Sequence, residues 1–307
     1  MAEAQISLSI GPLQRALGDE TALRQAKSLG YDAVDLDLLG YDDTLYRRSE
    51  DEIGSYFERL GALTRDLGLT VGQTHGRITG YRNMPELDAA EKNRARLDVM
   101  ATRLLGCRYC VMHGPTSIYF GPDADPAVMR ETAFRNFSDF LPFARENGIM
   151  IATETFGDAG KDANGEYFID FFGSADEFTG IFERLRTTPG GESLCVCMDT
   201  GHTTNAARFP GQPSPGDLIR RLGGAVQVLH LHDNDGVTDQ HKMPRSGNID
   251  WHDVMTALEE TGYNGPYNME LRLEHYGNTP EMMLLYAGFA RHVMRQLLRE
   301  HGRTVRD

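Results

Sequence analysis

Short apolar or β-branched runs alternate along this chain with longer stretches in which apolar residues recur every three or four positions. The short runs are QISLSI (5–10), DAVDLDLL (32–39), LTVGQTH (69–75), RYCVMHG (108–114), IMIATETF (149–156), LCVCMDT (194–200), AVQVLHLHD (225–233) and PYNMELRL (266–273). Their length and β-branched content predict strands. The longer stretches, such as EDEIGSYFERLGALTRDLG (50–68) and ELDAAEKNRARLDVMATRLLG (86–106), carry the spacing of one-sided helices and close on glycine. A glycine-then-strand phrase recurs in LGYDAV, LGLTV, NGIMI and YNGPY. Strands alternating with helices predict parallel pairing with the helices outside. Eight such units in 307 residues favour a closed (β/α)8 barrel, a TIM barrel, over an open sheet. The first turn, SIGPLQRALG, lacks the GxGxxG of a dinucleotide fold. The chain therefore reads as one α/β domain over 1–307, with no linker. Its longest insertion, GDAGKDANGEYFIDFFG (157–173), is a candidate lid.

In such a barrel the chemistry sits where strands end. The ends, read in order, are His75, His113, Glu154, Asp199 with His202, His230 with His232, and Glu270, and the loop after the seventh strand adds Asp239 and His241. A lone polar residue at a strand end is usually a cap. Six successive ends able to bind metal or move protons are not accounted for that way. Positions two apart on a strand share a face, so His230 and His232 point the same way. Glu154, Asp199, one of these histidines and Glu270 offer the oxygen and nitrogen donors that suit Mn²⁺, Mg²⁺ or Co²⁺, with zinc a further choice for the histidine-rich half. A divalent metal site is the expectation.

Charge and composition narrow the partners. Lys and Arg total 31 against 45 Asp and Glu, a net charge of −14. Such a surface repels phosphate backbones and anionic lipid. No run is apolar enough to span a membrane, and MAEAQISLSIGP shows no basic-then-apolar leader, so the cytoplasm is the expected location. The pairs Cys107/Cys110 and Cys195/Cys197 lie in apolar strands and read as small buried hydrophobes. Arg291, Arg295 and Arg299, four apart, read as a solvated helix stripe. The apolar MMLLYAGF (282–289) would permit a homo-oligomer.

The segments HG (75–76), MHGP (112–115), ETFG (154–157), MDTGHT (198–203), HLHD (230–233), DQH (239–241), NIDW (248–251) and NMEL (268–271) occur in this order. Together they resemble the xylose-isomerase-like TIM-barrel superfamily, which holds sugar isomerases and epimerases as well as AP endonucleases of the endonuclease IV type. The resemblance runs from strand three to strand eight. One departure is Arg245 in RSGNIDW, where family members often carry glycine. The resemblance implies Glu154, Asp199, His230 and Glu270 as metal ligands, with His202 on the sugar. His230 is preferred to His232 because HLHD looks like the family's H-x-x-D, a pattern that HDND also fits.

Two function classes follow. The first is a metal-dependent isomerase or epimerase on a keto-sugar or related polyol, working through an enediolate. Glu154 and Glu270 then act as base and acid, and His75, His113, His202, His232, Asp239, His241 and Arg272 contact substrate. Arg272, two residues past Glu270, could hold an anionic group. A lyase or dehydratase would use the same enediolate. The second class is a three-zinc phosphodiesterase acting on abasic DNA, for which His75, His113, Glu154, Asp199, His202, His230, Asp239, His241 and Glu270 supply the ligand types. The anionic surface favours the carbohydrate and speaks against nucleic acid. Trp251 fits equally a pocket wall or a helix-start packing residue.

Overall fold

A computed structural model describes residues 3–306. The strands are β1 (Ile6–Ser9), β2 (Ala33–Asp37), β3 (Thr70–His75), β4 (Tyr109–Met112), β5 (Met150–Glu154), β6 (Asp158–Lys161), β7 (Tyr167–Ile169), β8 (Leu194–Asp199), β9 (Val226–His230) and β10 (Tyr267–Met269). Eight of them pair in parallel in the order β10-β1-β2-β3-β4-β5-β8-β9. Just past β9, a parallel bridge between Leu231 and Met269 joins it to β10. There the Leu231 N–H donates to Asn268 O at 2.9 Å, and the Glu270 N–H to Leu231 O at 3.2 Å. That closes the ring: the molecule is a single (β/α)8 barrel.

Helices wrap it as the apolar spacing predicts. Glu50–Leu67 starts on a reciprocal Ser49/Glu52 cap and stops at Gly68, whose φ of 60° suits a residue without a side chain. Every strand ladder is shorter than its apolar run, chiefly at the C-terminal end. The β10 ladder stops at Met269, so Glu270 and Arg272 sit in the loop that follows rather than on the strand. His232 likewise lies beyond β9. The 157–173 insertion forms an antiparallel hairpin, β6 with β7.

Alternation explains what fills the barrel. Val111, Ala152, Cys195 with Cys197, and Val228 form one small buried cluster. Two residues further along the same strand faces stand His113, Glu154, Asp199 and His230. The opposite wall is polar. The Ser7 hydroxyl donates to Asn268 (2.7 Å), the Ser9 hydroxyl to Asp35 (2.8 Å), and the Asn268 amide to Ser9 (3.0 Å). All four cysteines are free and buried, as small hydrophobes should be.

One surface reading changes, and one open choice is settled. Arg291 is buried, not solvated: its Nε donates to Gly30 O at 2.8 Å. Helical spacing alone could not foresee the carbonyl waiting there. Trp251 is a packing residue at the start of the helix Trp251–Glu260, with its indole N–H donating to Asp233 at 2.8 Å. Among the described residues no helix is long and apolar enough to cross a membrane. In 282–289, Met282, Leu285 and Phe289 are exposed beside Tyr276.

Candidate active site

Four donors converge where β5, β8, β9 and β10 end. One ligand atom each from Glu154, Asp199, His230 and Glu270 lie within 4.8 Å of one another. Glu154 and His230 are buried, while the Glu270 side chain keeps a fifth of its surface open to the pocket. His230 Nδ1 lies 3.1 Å from Glu154 and 3.5 Å from Glu270, and its Nε2 faces Asp35 at 3.3 Å. His75 Nε2 stands 3.6 Å from Glu154 and 3.7 Å from Glu270, its ring stacked on His230. His113 Nε2 pairs with Glu154 at 2.9 Å.

A second group sits beside the first. His202, His232, Asp239 and His241 also place one ligand atom each within 4.8 Å of one another. His232 stacks on His241 with centroids 3.9 Å apart and reaches Asp199 at 3.0 Å. Asp199 links the two groups, because it also caps the helix Thr200–Ala207 through the His202 N–H at 2.6 Å. The structure thus separates the two histidines of HLHD: His230 falls in the first group and His232 in the second. A β-carbon on Gly201 would lie 2.0 Å from the His232 ring, so this ring position requires a glycine there.

The electrostatics follow from crowding acids and imidazoles in a buried space. Burial acts to raise the Glu154 pKa, but His113 and His230 outweigh it and hold the carboxyl well below the usual carboxylate range. For His75, burial acts downward and is overcome by Glu154 and Glu270, which lift it to about 9. His241 reaches about 9 in the same way, burial being overcome by Asp239 and Glu270. Such a set favours positive charge at its centre. Among the described residues, the buried Glu154 Oε1, His230 Nδ1 and His232 Nδ1 make no hydrogen bond. Buried polar atoms without partners are costly, and in the first group the Glu154 oxygen and the His230 nitrogen, beside Asp199 and Glu270, fit a divalent cation.

Above the donors opens a pocket of about 560 Å³. Its lining includes His75, His113, Glu154, His202, Asp239, His241, Glu270 and Arg272. His232, Asp199 and His230 lie beneath, outside the lining. Arg272 directs its guanidinium toward Asp239 O at 3.5 Å. Sequence reasoning missed the pocket wall from β1, β2 and the helix Gly11–Leu17: Ser9, Asp35, Asp37 and Arg15. The signal was there in DLDLL, where Asp35 and Asp37 alternate with apolar residues and so share the lumen face. It also missed Ile78, Ile118, Tyr119 and Phe156.

Residues 23–287 match the family described as xylose isomerase-like TIM barrel. The chain is 26% identical over 205 residues to the uncharacterized protein y4fM of Sinorhizobium fredii, across 66% of this chain and 59% of that one. It is 35% identical over 83 residues to fructoselysine 3-epimerase of Shigella flexneri, across 27% of this chain and 29% of that enzyme. The match thus spans under two thirds of either relative's length. The crystal structure of a D-tagatose 3-epimerase-like protein superimposes with a TM-score of 0.72 at 17% identity, covering 96% of this chain and 97% of that one. On the family match over most of its length, the chain belongs to the xylose isomerase-like TIM barrel family.

Proposed function

We propose that the chain is a divalent-metal-dependent isomerase or epimerase acting on a keto-sugar or related polyol. The observation that carries this reading is the convergence of Glu154, Asp199, His230 and Glu270 beneath an open pocket. Relatives named for 3-epimerase chemistry support it. Those four side chains would hold the ion, Mn²⁺ by their hard-donor majority, with Mg²⁺, Co²⁺ or Zn²⁺ as substitutes. When bound, the ion would polarise the substrate carbonyl as a Lewis acid.

The protein's own part is proton movement. One of Glu154 and Glu270 takes the proton from the carbon beside the carbonyl, and the other returns it. Return to the opposite face of that carbon inverts it; return to the neighbouring carbon isomerises the sugar. Loss of a β-substituent instead would make the enzyme a lyase. His113, paired with Glu154, and His241, 3.4 Å from Glu270, hold these carboxylates in place. His75, His202, Asp239 and Arg272 line the pocket as hydroxyl partners.

Asp35 orients the ligand histidine. With His230 Nε2 engaged by Asp35, Nδ1 is left for the ion. Asp35→Asn is expected to weaken Mn²⁺ binding roughly 10–100-fold, the usual cost of losing such an outer partner. Titration calorimetry on metal-stripped protein checks this, and unchanged affinity would remove Asp35 from the account.

The second donor group favours one competing reading, a multi-metal phosphodiesterase, because His202, His232, Asp239 and His241 could hold a further ion. The net charge of −14 speaks for a sugar over DNA. Metal analysis of the protein as purified, with ketose and abasic-DNA assays in parallel, separates the two. The proposal expects one tightly held divalent ion per chain, and ketose turnover lost on chelation and restored by Mn²⁺. Three zinc ions with cleavage at abasic sites would overturn it.

A further inference from the structure

The pocket is larger than its donor floor needs, and its outer walls differ from one another. At about 560 Å³ it has the size of sites that hold drug-sized molecules. On the β1 and β10 side the rim is charged: Arg15 bridges Asp37 and Glu274, each at 3.5 Å. On the β3 and β4 side the rim is apolar. Ile78, Ile118 and Tyr119 line the pocket while remaining 41%, 55% and 46% exposed. Phe156 continues this wall inward to the donors, its ring 5.4 Å from His113 and 5.0 Å from His202.

The part of this lip that carries Ile118 and Tyr119 is anchored even though it is not buried. The short helix Ser117–Phe120, which carries Ile118 and Tyr119, is pinned by the fully buried carboxylate of Asp170. Asp170 accepts the Thr116 hydroxyl at 2.6 Å and the Ser117 N–H at 2.7 Å, and Ser117 Oγ accepts the Phe171 N–H at 2.9 Å. The Arg82 guanidinium lies over the Tyr119 ring at 3.8 Å. Adjacent large apolar side chains kept in water on a fixed support mark a contact surface for a ligand. Their continuity with the donor floor says which ligand: something joined to the molecule bound below.

We propose that Ile78, Ile118, Tyr119 and Phe156 form a subsite for an aromatic group attached to the sugar, so that the substrate is an aryl-bearing ketose conjugate. This rests on the sugar reading above. The floor takes the keto-sugar, and the lip takes the planar apolar appendage by burial and ring packing.

The test compares D-fructose with 1-anilino-1-deoxy-D-fructose, titrated into the Mn²⁺-loaded protein and into its Ile118→Ser/Tyr119→Ser variant. Both substituted positions are exposed, and circular dichroism with thermal melting verifies that the variant is folded. The wild type is expected to bind the anilino sugar at least about tenfold tighter, since burying one ring face is worth an order of magnitude. In the variant the ratio should fall toward unity. Equal affinities in the wild type, or a ratio that survives the substitutions, would overturn the subsite while leaving D-fructose binding to uphold the sugar reading. Binding of neither sugar would overturn both.

Discussion

Glu154→Gln is expected to slow ketose turnover by about 10²–10⁴-fold, and Glu270→Gln by a similar factor, the usual cost of losing a general base or acid. Glutamine keeps a neutral oxygen donor of the same shape, so the variants can retain metal and lose proton transfer. The two positions differ in surroundings. Glu154 is buried and engaged by His113 at 2.9 Å, with His202 at 3.2 Å and His230 at 3.1 Å. Glu270 is partly open to the pocket, and its nearest imidazole, His241, stands 3.4 Å away. Loss of metal should accordingly be larger for Glu154→Gln, and its rate must be read at measured occupancy. A variant with full metal and wild-type turnover would leave that glutamate a structural role only.

Arg77→Met should destabilise the fold by about 3–5 kcal/mol, because removing one partner leaves a buried charge uncompensated. Arg77 is 2% exposed and donates to Asp98 at 2.6 Å and to Asp42 at 2.7 Å. Asp98 is fully buried; burial lifts its carboxyl to about 6, and Arg77 is the main restraint on that rise. The same residue positions the site, since Arg77 O accepts the His113 N–H at 2.8 Å. Urea unfolding measures the loss. A change below about 1 kcal/mol would mean that Asp98 is satisfied without Arg77, as for an ordinary exposed pair.

The barrel was readable because each unit repeats the same local physics: an apolar strand, a polar turn and a one-sided helix closed by glycine. The strand-end donors were readable for a related reason. Period-two alternation carries Ala152 to Glu154, Cys197 to Asp199 and Val228 to His230 on one face. Where a strand leaves its ladder was not readable, because the apolar–polar alternation runs on through Leu231 and Leu271, past the ends of β9 and β10. Arg291 failed for lack of tertiary information, since its partner Gly30 lies 261 residues away. In SIYF nothing marks Ile118 and Tyr119 as pocket-lining, because the short helix that carries them is placed by Asp170, 53 residues from Ser117. Arg245 adopts φ 72°, in the left-handed region, and pairs with Glu300. That is a conformation that glycine adopts without strain, at the position where the sequence resemblance leads one to expect glycine.

The most direct measurement of the central claim, that Glu154 and Glu270 move a proton at the carbon beside the carbonyl, is turnover in D₂O by the Mn²⁺-loaded enzyme, followed by NMR. Deuterium is expected at that carbon in product, and in recovered substrate where return of the proton is reversible. Both signals should fall in Glu154→Gln and Glu270→Gln at matched metal occupancy. Conversion with protium retained at that carbon and no exchange in recovered substrate would contradict it.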